Sequence, residues 1–290
     1  MPNDRLREYS GRVNHFLNDF YARYVSEPQR TLYEAMDYSL SAGGKRLRPV
    51  LVYEFCRMAG GDLNQADPLA SALEMIHTYS LIHDDLPCMD NDDFRRGKPT
   101  NHKVYGEAMA VLAGDALLTD AFQVASNAEL NGPEDVVLAI RTLSRCAGSS
   151  GMVGGQALDI MSEERILSEE EVLAIQSRKT GALIHAACTL GVIAAGGTAE
   201  QIQAAGQFAD ALGLAFQIRD DILDVVGTRE EMGKTVGTDG KKNTFVRLYG
   251  LEACEKLVQK YTDFALSQLS VFEDTAFVAD LAESMTRRRN

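Results

Sequence analysis

Two aspartate clusters, Asp84-Asp85-Leu86-Pro87-Cys88-Met89-Asp90 and Asp220-Asp221-Ile222-Leu223-Asp224, each close an apolar stretch with helical periodicity. Five carboxylates fall in the ten residues from Asp84 to Asp93. At a spacing of about 6 Å and an effective dielectric near 20, each like-charge pair costs roughly 3 kcal/mol. A fold that gathers such segments must bring cations to them. An all-oxygen ligand set suits Mg²⁺, which binds through one or two carboxylates and completes its octahedron with water and substrate phosphate.

Helical periodicity runs through almost the whole chain, and strand alternation is absent. It predicts helices over 4–25, 28–41, 46–60, 68–86, 105–130, 134–150, 170–195, 198–226, 246–268 and 275–286. Asp67 reads as an N-cap with Pro68 at the first helical position. Ser168 with Glu171, and Thr198 with Gln201, read as capping boxes. Asn131-Gly132-Pro133 marks a turn. With no linker, low-complexity stretch or short repeat, residues 1–290 are expected to form one all-α domain.

Composition narrows the function. The net charge of −13 argues against nucleic acid as a partner, since phosphate backbones bind basic faces. Five cysteines, widely spaced and without a CxxC pair, read as reduced thiols of a cytosolic protein. The amino terminus lacks the basic-then-apolar pattern of a signal peptide, and the longest apolar run, from Gly181 to Gly197, is interrupted by His185 and glycines. A soluble cytoplasmic protein without membrane insertion is expected.

On a helix, Gln217, Asp220 and Asp224 fall at i, i+3 and i+7 and share a face, whereas Asp221 points about 100° away and has either a neighbouring role or none. In the first cluster Pro87 interrupts the helical ladder, which lets Asp90 turn back towards Asp84 and Asp85. Arg95 and Arg96 follow closely. Upstream, Gly43-Gly44-Lys45-Arg46-Leu47-Arg48-Pro49 sets three cations beside a flexible glycine pair at the start of a helix, which makes a candidate anion site. Metal-bridged carboxylates plus a metal-free basic pocket would hold two separate polyanions, as the joining of two diphosphates requires.

These segments, with Leu81–Thr100, Leu112–Leu117, Gly155-Gln156-Ala157-Leu158-Asp159, Lys179-Thr180-Gly181 and Phe216–Asp224, resemble the short-chain trans-prenyltransferases, or polyprenyl synthetases. The resemblance is strongest to the bacterial-type farnesyl diphosphate synthase branch. It implies an orthogonal helix bundle of the isoprenoid synthase type around a central apolar cavity, assembled as a homodimer. It implies that Asp84, Asp90 and Asp220 hold three Mg²⁺ ions (Mn²⁺ being the alternative) around the allylic diphosphate, with Asp85, Asp221 and Asp224 in support. Arg95, Lys179 and Lys234 would contact that diphosphate. Gly44, Lys45, Arg48, His77 and Arg96 would bind isopentenyl diphosphate. Lys179, Thr180 and Gln217 would face the developing allylic cation. The family's late loop lysine corresponds to Lys241 or Lys242.

In that family the residues four and five positions before the first aspartate, here Ser80 and Tyr79, help set product length, and an aromatic at the second position goes with C15. Ser80 lies about 40° from Asp84 on an ideal helix but Tyr79 lies about 140° away, so it is the resemblance and not the spacing that puts the ring in the pocket. The alternatives are a C10 or C20 synthase of the same family. A terpene cyclase has no need of the Lys45/Arg48 site, and a non-catalytic subunit would have lost aspartates that are all present here. A di-iron bundle needs paired Glu-x-x-His motifs, and only Glu74-Met75-Ile76-His77 fits.

Overall fold

A computed structural model describes residues 2–22, 24, 26–162, 165–226 and 244–288. The helices are α1 (Pro2–Ala22), α2 (Arg30–Leu40), α3 (Leu47–Met58), α4 (Leu63–Asp84), α5 (Asn101–Tyr105), α6 (Glu107–Ser126), α7 (Pro133–Ala147), α8 (Met152–Ser162) and α9 (Glu169–Gln176). A π-helical turn over Ser177–Gly181 leads into α10 (Ala182–Ala194). There follow α11 (Ala199–Val226), α12 (Phe245–Tyr249), α13 (Leu251–Ser267), a 3₁₀ turn (Gln268–Val271) and α14 (Ala276–Arg287).

Burial explains the layering. In α10 every residue from Ala186 to Ala194 is buried, and α3 is buried along most of its length. Helices that are apolar all round belong inside. They pack on each other and on α4, and the large core cluster runs from Tyr9 of α1 to Met285 of α14. A smaller cluster, with Val172, Ile218, Ile222, Phe245 and Val258, lies under α9, α12 and α13. α11 contributes to both: Phe208 and Leu212 sit in the large cluster, Ile218 and Ile222 in the small one.

The sequence-based boundaries need several corrections. α4 begins at Leu63, where Asp62 accepts from the Asn64 amide at 2.9 Å, and Pro68 lies inside the helix. Asp67 is no cap. It takes the Arg12 guanidinium at 2.5 and 2.7 Å and the Tyr53 hydroxyl at 2.8 Å. The expected 105–130 and 246–268 helices are each divided by a glycine at positive φ, Gly106 (84°) and Gly250 (78°), which L side chains rarely adopt. α8 fills a stretch assigned to no helix. One small strand pair also forms: Phe94–Arg95 runs antiparallel to Lys98–Pro99. Its turn residues, Arg96 (φ 54°) and Gly97 (φ 76°), are both left-handed, as a two-residue hairpin of matching twist requires. Both capping boxes form as read.

Among the described residues α6 alone is long and apolar enough to cross a membrane by length and composition. Its inner face, with Ala110, Ala113, Leu117 and Ala121, is buried against the other helices of the bundle.

The crossing of α10 and α3 depends on Gly191, where a Cβ would drive into the Val52 carbonyl oxygen and sit 2.8 Å from Phe55 Cβ. Backbone cannot yield there as a flexible side chain would. Gly191→Ala is expected to lower stability by about 1–3 kcal/mol in urea unfolding, the usual scale of core overpacking.

Candidate active site

The first acidic cluster is built by the end of α4. After Asp84 the helical ladder stops, Asp85 is the C-cap, and the Asp90 amide donates back to the Asp84 carbonyl at 2.9 Å. Asn91, at φ 52°, closes the turn by donating to the Leu86 carbonyl at 3.1 Å. Asp90 therefore does fold back to Asp84, as Pro87 predicts. Burial pushes the Asp84 carboxyl up to about 6; Lys179 opposes the shift and Asp90 adds to it. Asp85 is almost fully buried and already paired. Arg95 donates to it through Nε at 2.8 and 2.9 Å, with Nη2 at 2.6 Å. Asp85 thus braces the hairpin that carries Arg95 and Arg96, and Arg95 keeps only part of its guanidinium for a substrate.

The opposite wall comes from the π turn and α11. A Cβ on Gly213 of α11 would lie 3.2 Å from Gly181 Cα, so two glycines let these backbones meet closely. π turns interrupt helices at functional sites. Here the turn places Lys179 near Asp159, Nζ to Oδ2 at 2.6 Å, and brings Thr180 Oγ1 within 3.4 Å of Gln217 Oε1. Asp220 follows Gln217 by one turn and is partly buried, and Asp224 is exposed a further turn on. Lys179 is close enough to bear on Asp84, and its neighbour touches α11 one turn before Asp220, so both acidic clusters border one cleft. Asp221 points elsewhere. It is buried and accepts from the Phe245 amide at 2.7 Å and from Gln217 Nε2 at 3.5 Å, which ties α12 to α11. These contacts hold the two elements together.

Next to the hairpin lies a concentrated basic pocket. Arg48 Nη1 is 3.3 Å from His77 Nε2, and Arg48 Nε is buried with no hydrogen-bond partner. Burial, followed by Arg48, Arg96, Arg95 and Arg46, holds the His77 imidazole well below its usual range, so the ring is neutral. Arg96 donates to the Gly43 carbonyl. A Cβ on Gly44 would meet the Arg96 guanidinium carbon at 2.7 Å, so only glycine admits this contact. Lys45 is exposed on the same loop. Arg46, although part of the basic run, is buried and ion-paired with Glu74, which makes it a support for the loop. Packed cations and an orphaned guanidinium N–H call for an oxygen-rich anion.

Ser80 donates to the His77 carbonyl at 2.9 Å. Tyr79 is buried and meets His83 edge to face, with ring centroids 5.7 Å apart. Lys234, Lys241 and Lys242 lie outside the described residues.

The carboxylates fit hard divalent ions in chemistry, but they stand on two walls. Among the described residues no three His, Cys, Asp or Glu side chains gather into a ready metal centre. Asp84, Asp90, Asp220 and Asp224 are the residues that would hold such ions. Sequence reasoning missed Asp159 as partner of Lys179, although the motif containing it was visible; it set Asp85 and Asp221 apart as supporting residues but did not find their partners, Arg95 and the Phe245 amide.

Because burial raises the folded pKa of Asp84, the metal-free protein binds an extra proton between about pH 4 and 6 and loses stability as pH rises through that window. Asp84→Asn should therefore stabilise the metal-free protein by about 1 kcal/mol at pH 7 and by nothing measurable at pH 4. Urea unfolding at the two pH values checks this.

The Polyprenyl synthetase family profile matches residues 29–274. A farnesyl diphosphate synthase of Micrococcus luteus is 53% identical over 232 residues, covering 79% of each chain. The large subunit 1 of a heterodimeric chloroplast geranylgeranyl pyrophosphate synthase of Arabidopsis thaliana is 47% identical over 92% of this chain and 74% of its own. A solved FPP/GFPP synthase from Zymomonas mobilis superposes with a TM-score of 0.85 at 37% identity, over 99% of both chains. A geranyltransferase structure from Legionella pneumophila gives 0.87 at 33% identity, covering 99% and 98%. With both acidic walls, the π turn and the basic pocket in place, the chain belongs to the polyprenyl synthetase family, the divalent-metal-dependent prenyltransferases that act on isoprenyl diphosphates.

Proposed function

We propose that the chain is a Mg²⁺-dependent farnesyl diphosphate synthase, which joins isopentenyl diphosphate head-to-tail to dimethylallyl and then geranyl diphosphate. The observation that carries this reading is a pair of anion sites of different kind beside each other: two carboxylate walls, and the pocket of Arg48, His77 and Arg96. One suits a metal-bridged diphosphate, the other a bare one.

Mg²⁺, three ions held through Asp84, Asp90, Asp220 and Asp224, would supply Lewis-acid neutralisation of the departing diphosphate. Lys179, aligned by Asp159, adds a point charge on the same side. The oxygen dipoles of Lys179, Thr180 and Gln217 face the allylic carbon and favour positive charge there. Arg48, Arg96 and neutral His77 hold isopentenyl diphosphate so that its double bond meets that carbon. The allylic C–O bond breaks, a C–C bond forms, and a proton leaves to the departing diphosphate. Water must be kept out, because it would capture the cation.

The C15 reading is supported by the bulk of Tyr79, buried five residues before Asp84 and packed on His83. A C20 product is the second reading, favoured by relatives such as a 48% identical geranylgeranyl pyrophosphate synthase 3 of Arabidopsis thaliana. We read the chain as one domain, since α11 runs through both core clusters. A second copy fits the exposed apolar residues Val104, Val111 and Leu112 of α5 and α6, which would make a homodimer. The cytosol suits five free thiols, four of them buried.

Incubation of the purified protein with isopentenyl and dimethylallyl diphosphates and Mg²⁺ should yield C15 alcohol after dephosphorylation, and a chelator should abolish it. A C20 product alone would overturn the chain-length reading, and no product at all the whole proposal. Asp84→Ala or Asp220→Ala should cut kcat by about 10²–10³-fold or more with helicity retained in circular dichroism. Tyr79→Ala should lengthen the product, and an unchanged C15 profile would remove Tyr79 from the account.

A further inference from the structure

The carboxy-terminal helix ends against the second acidic cluster. Arg219, the residue before Asp220, donates through Nε to the Thr286 carbonyl at 2.6 Å and pairs in a fork with Glu255 at 2.9 and 2.7 Å. This clamp fixes the last turn of α14 on α11. Two residues past Thr286 the Arg288 guanidinium lies over the Phe216 ring, 4.3 Å from its centroid, and its Nη2 meets the Asp220 carboxylate. Phe216 and Asp220 are i and i+4 on α11, so one helix face forms the seat. The Nε and Nη2 atoms are buried and make no hydrogen bond of good geometry, so charge and ring contact hold the group there.

We propose that Arg288 is a tethered counter-cation of Asp220, occupying the place a divalent ion takes and competing with that ion until a diphosphate arrives. The inference rests on Asp220 being a metal ligand. An arginine cannot shed its proton, so only movement of the side chain frees the carboxylate. Tethering gives it a high local concentration, which a free ion must overcome. A metal arriving with diphosphate has the advantage, because the displaced guanidinium then gains phosphate oxygens as new partners. The cluster therefore loads metal and diphosphate together and resists metal alone.

The test is Mn²⁺ binding to the full chain, followed by the electron paramagnetic resonance of free Mn²⁺, with and without inorganic pyrophosphate. Arg288→Gln should bind Mn²⁺ alone about three- to tenfold more tightly than the parent, while Arg288→Lys stays near it. Glu255→Gln, which loosens the clamp without touching Asp220, should shift affinity in the same direction and serves if the Arg288 variant folds poorly. Unchanged or weaker Mn²⁺ binding in these variants overturns the proposal. Equal binding of Mn²⁺ with pyrophosphate by the parent and Asp220→Asn would instead remove Asp220 as a ligand, and both readings would fall.

Discussion

A carboxylate taken out of water must meet a cation, and the arrangement around the cleft follows from that requirement. Asp85 is answered by Arg95, Glu74 by Arg46, and Asp220 by Arg288. Of these, Arg46–Glu74 is buried on both sides, and leaving one member of such a pair alone costs about 3 kcal/mol or more. Asp84 is the exception. Lys179 and Arg95 both act to lower its pKa, yet burial still dominates and raises it. A carboxylate kept short of compensation stores an affinity for added positive charge, which is what a metal-dependent diphosphate site uses.

The same logic, with the sign reversed, describes the basic pocket. His77, Arg48 and Arg96 crowd together, the imidazole is forced neutral, and one guanidinium N–H is buried without a partner. The two halves are each uncomfortable as they stand, and each is relieved by a different form of the same ligand class. Positional strain accompanies them. Arg46, Asn91 and Arg96 all adopt left-handed backbone, and all three lie in the segments that shape the cleft. Such conformations persist where surrounding contacts over-determine them.

Much of this was legible in the chain. Pro87 after Asp85 foretold the turn that returns Asp90 to Asp84, and the i, i+3, i+7 spacing foretold the shared face of Gln217, Asp220 and Asp224. Capping boxes at Ser168 and Thr198 marked helix starts because side chain and backbone pair within three residues. Asp67-Pro68 misled for the complementary reason: its capping signal is local, but Arg12 and Tyr53, distant in sequence, claim the carboxylate. The π turn was also hidden, since Ser177–Gly181 keeps helical periodicity and meets Gly213 only in the folded chain.

The sequence by itself determined that the chain is helical, that it carries two acidic helix ends, and that a glycine-flanked basic loop accompanies them. These are properties of spacing and residue type, fixed within one or two helical turns. Only the tertiary structure decided what the other aspartate of each pair meets, Arg95 for Asp85 and the Phe245 amide for Asp221. It alone brought Asp159 to Lys179 and Arg288 to Asp220. A side chain's electrostatic partner is chosen by what the fold packs beside it, and local sequence does not carry that information.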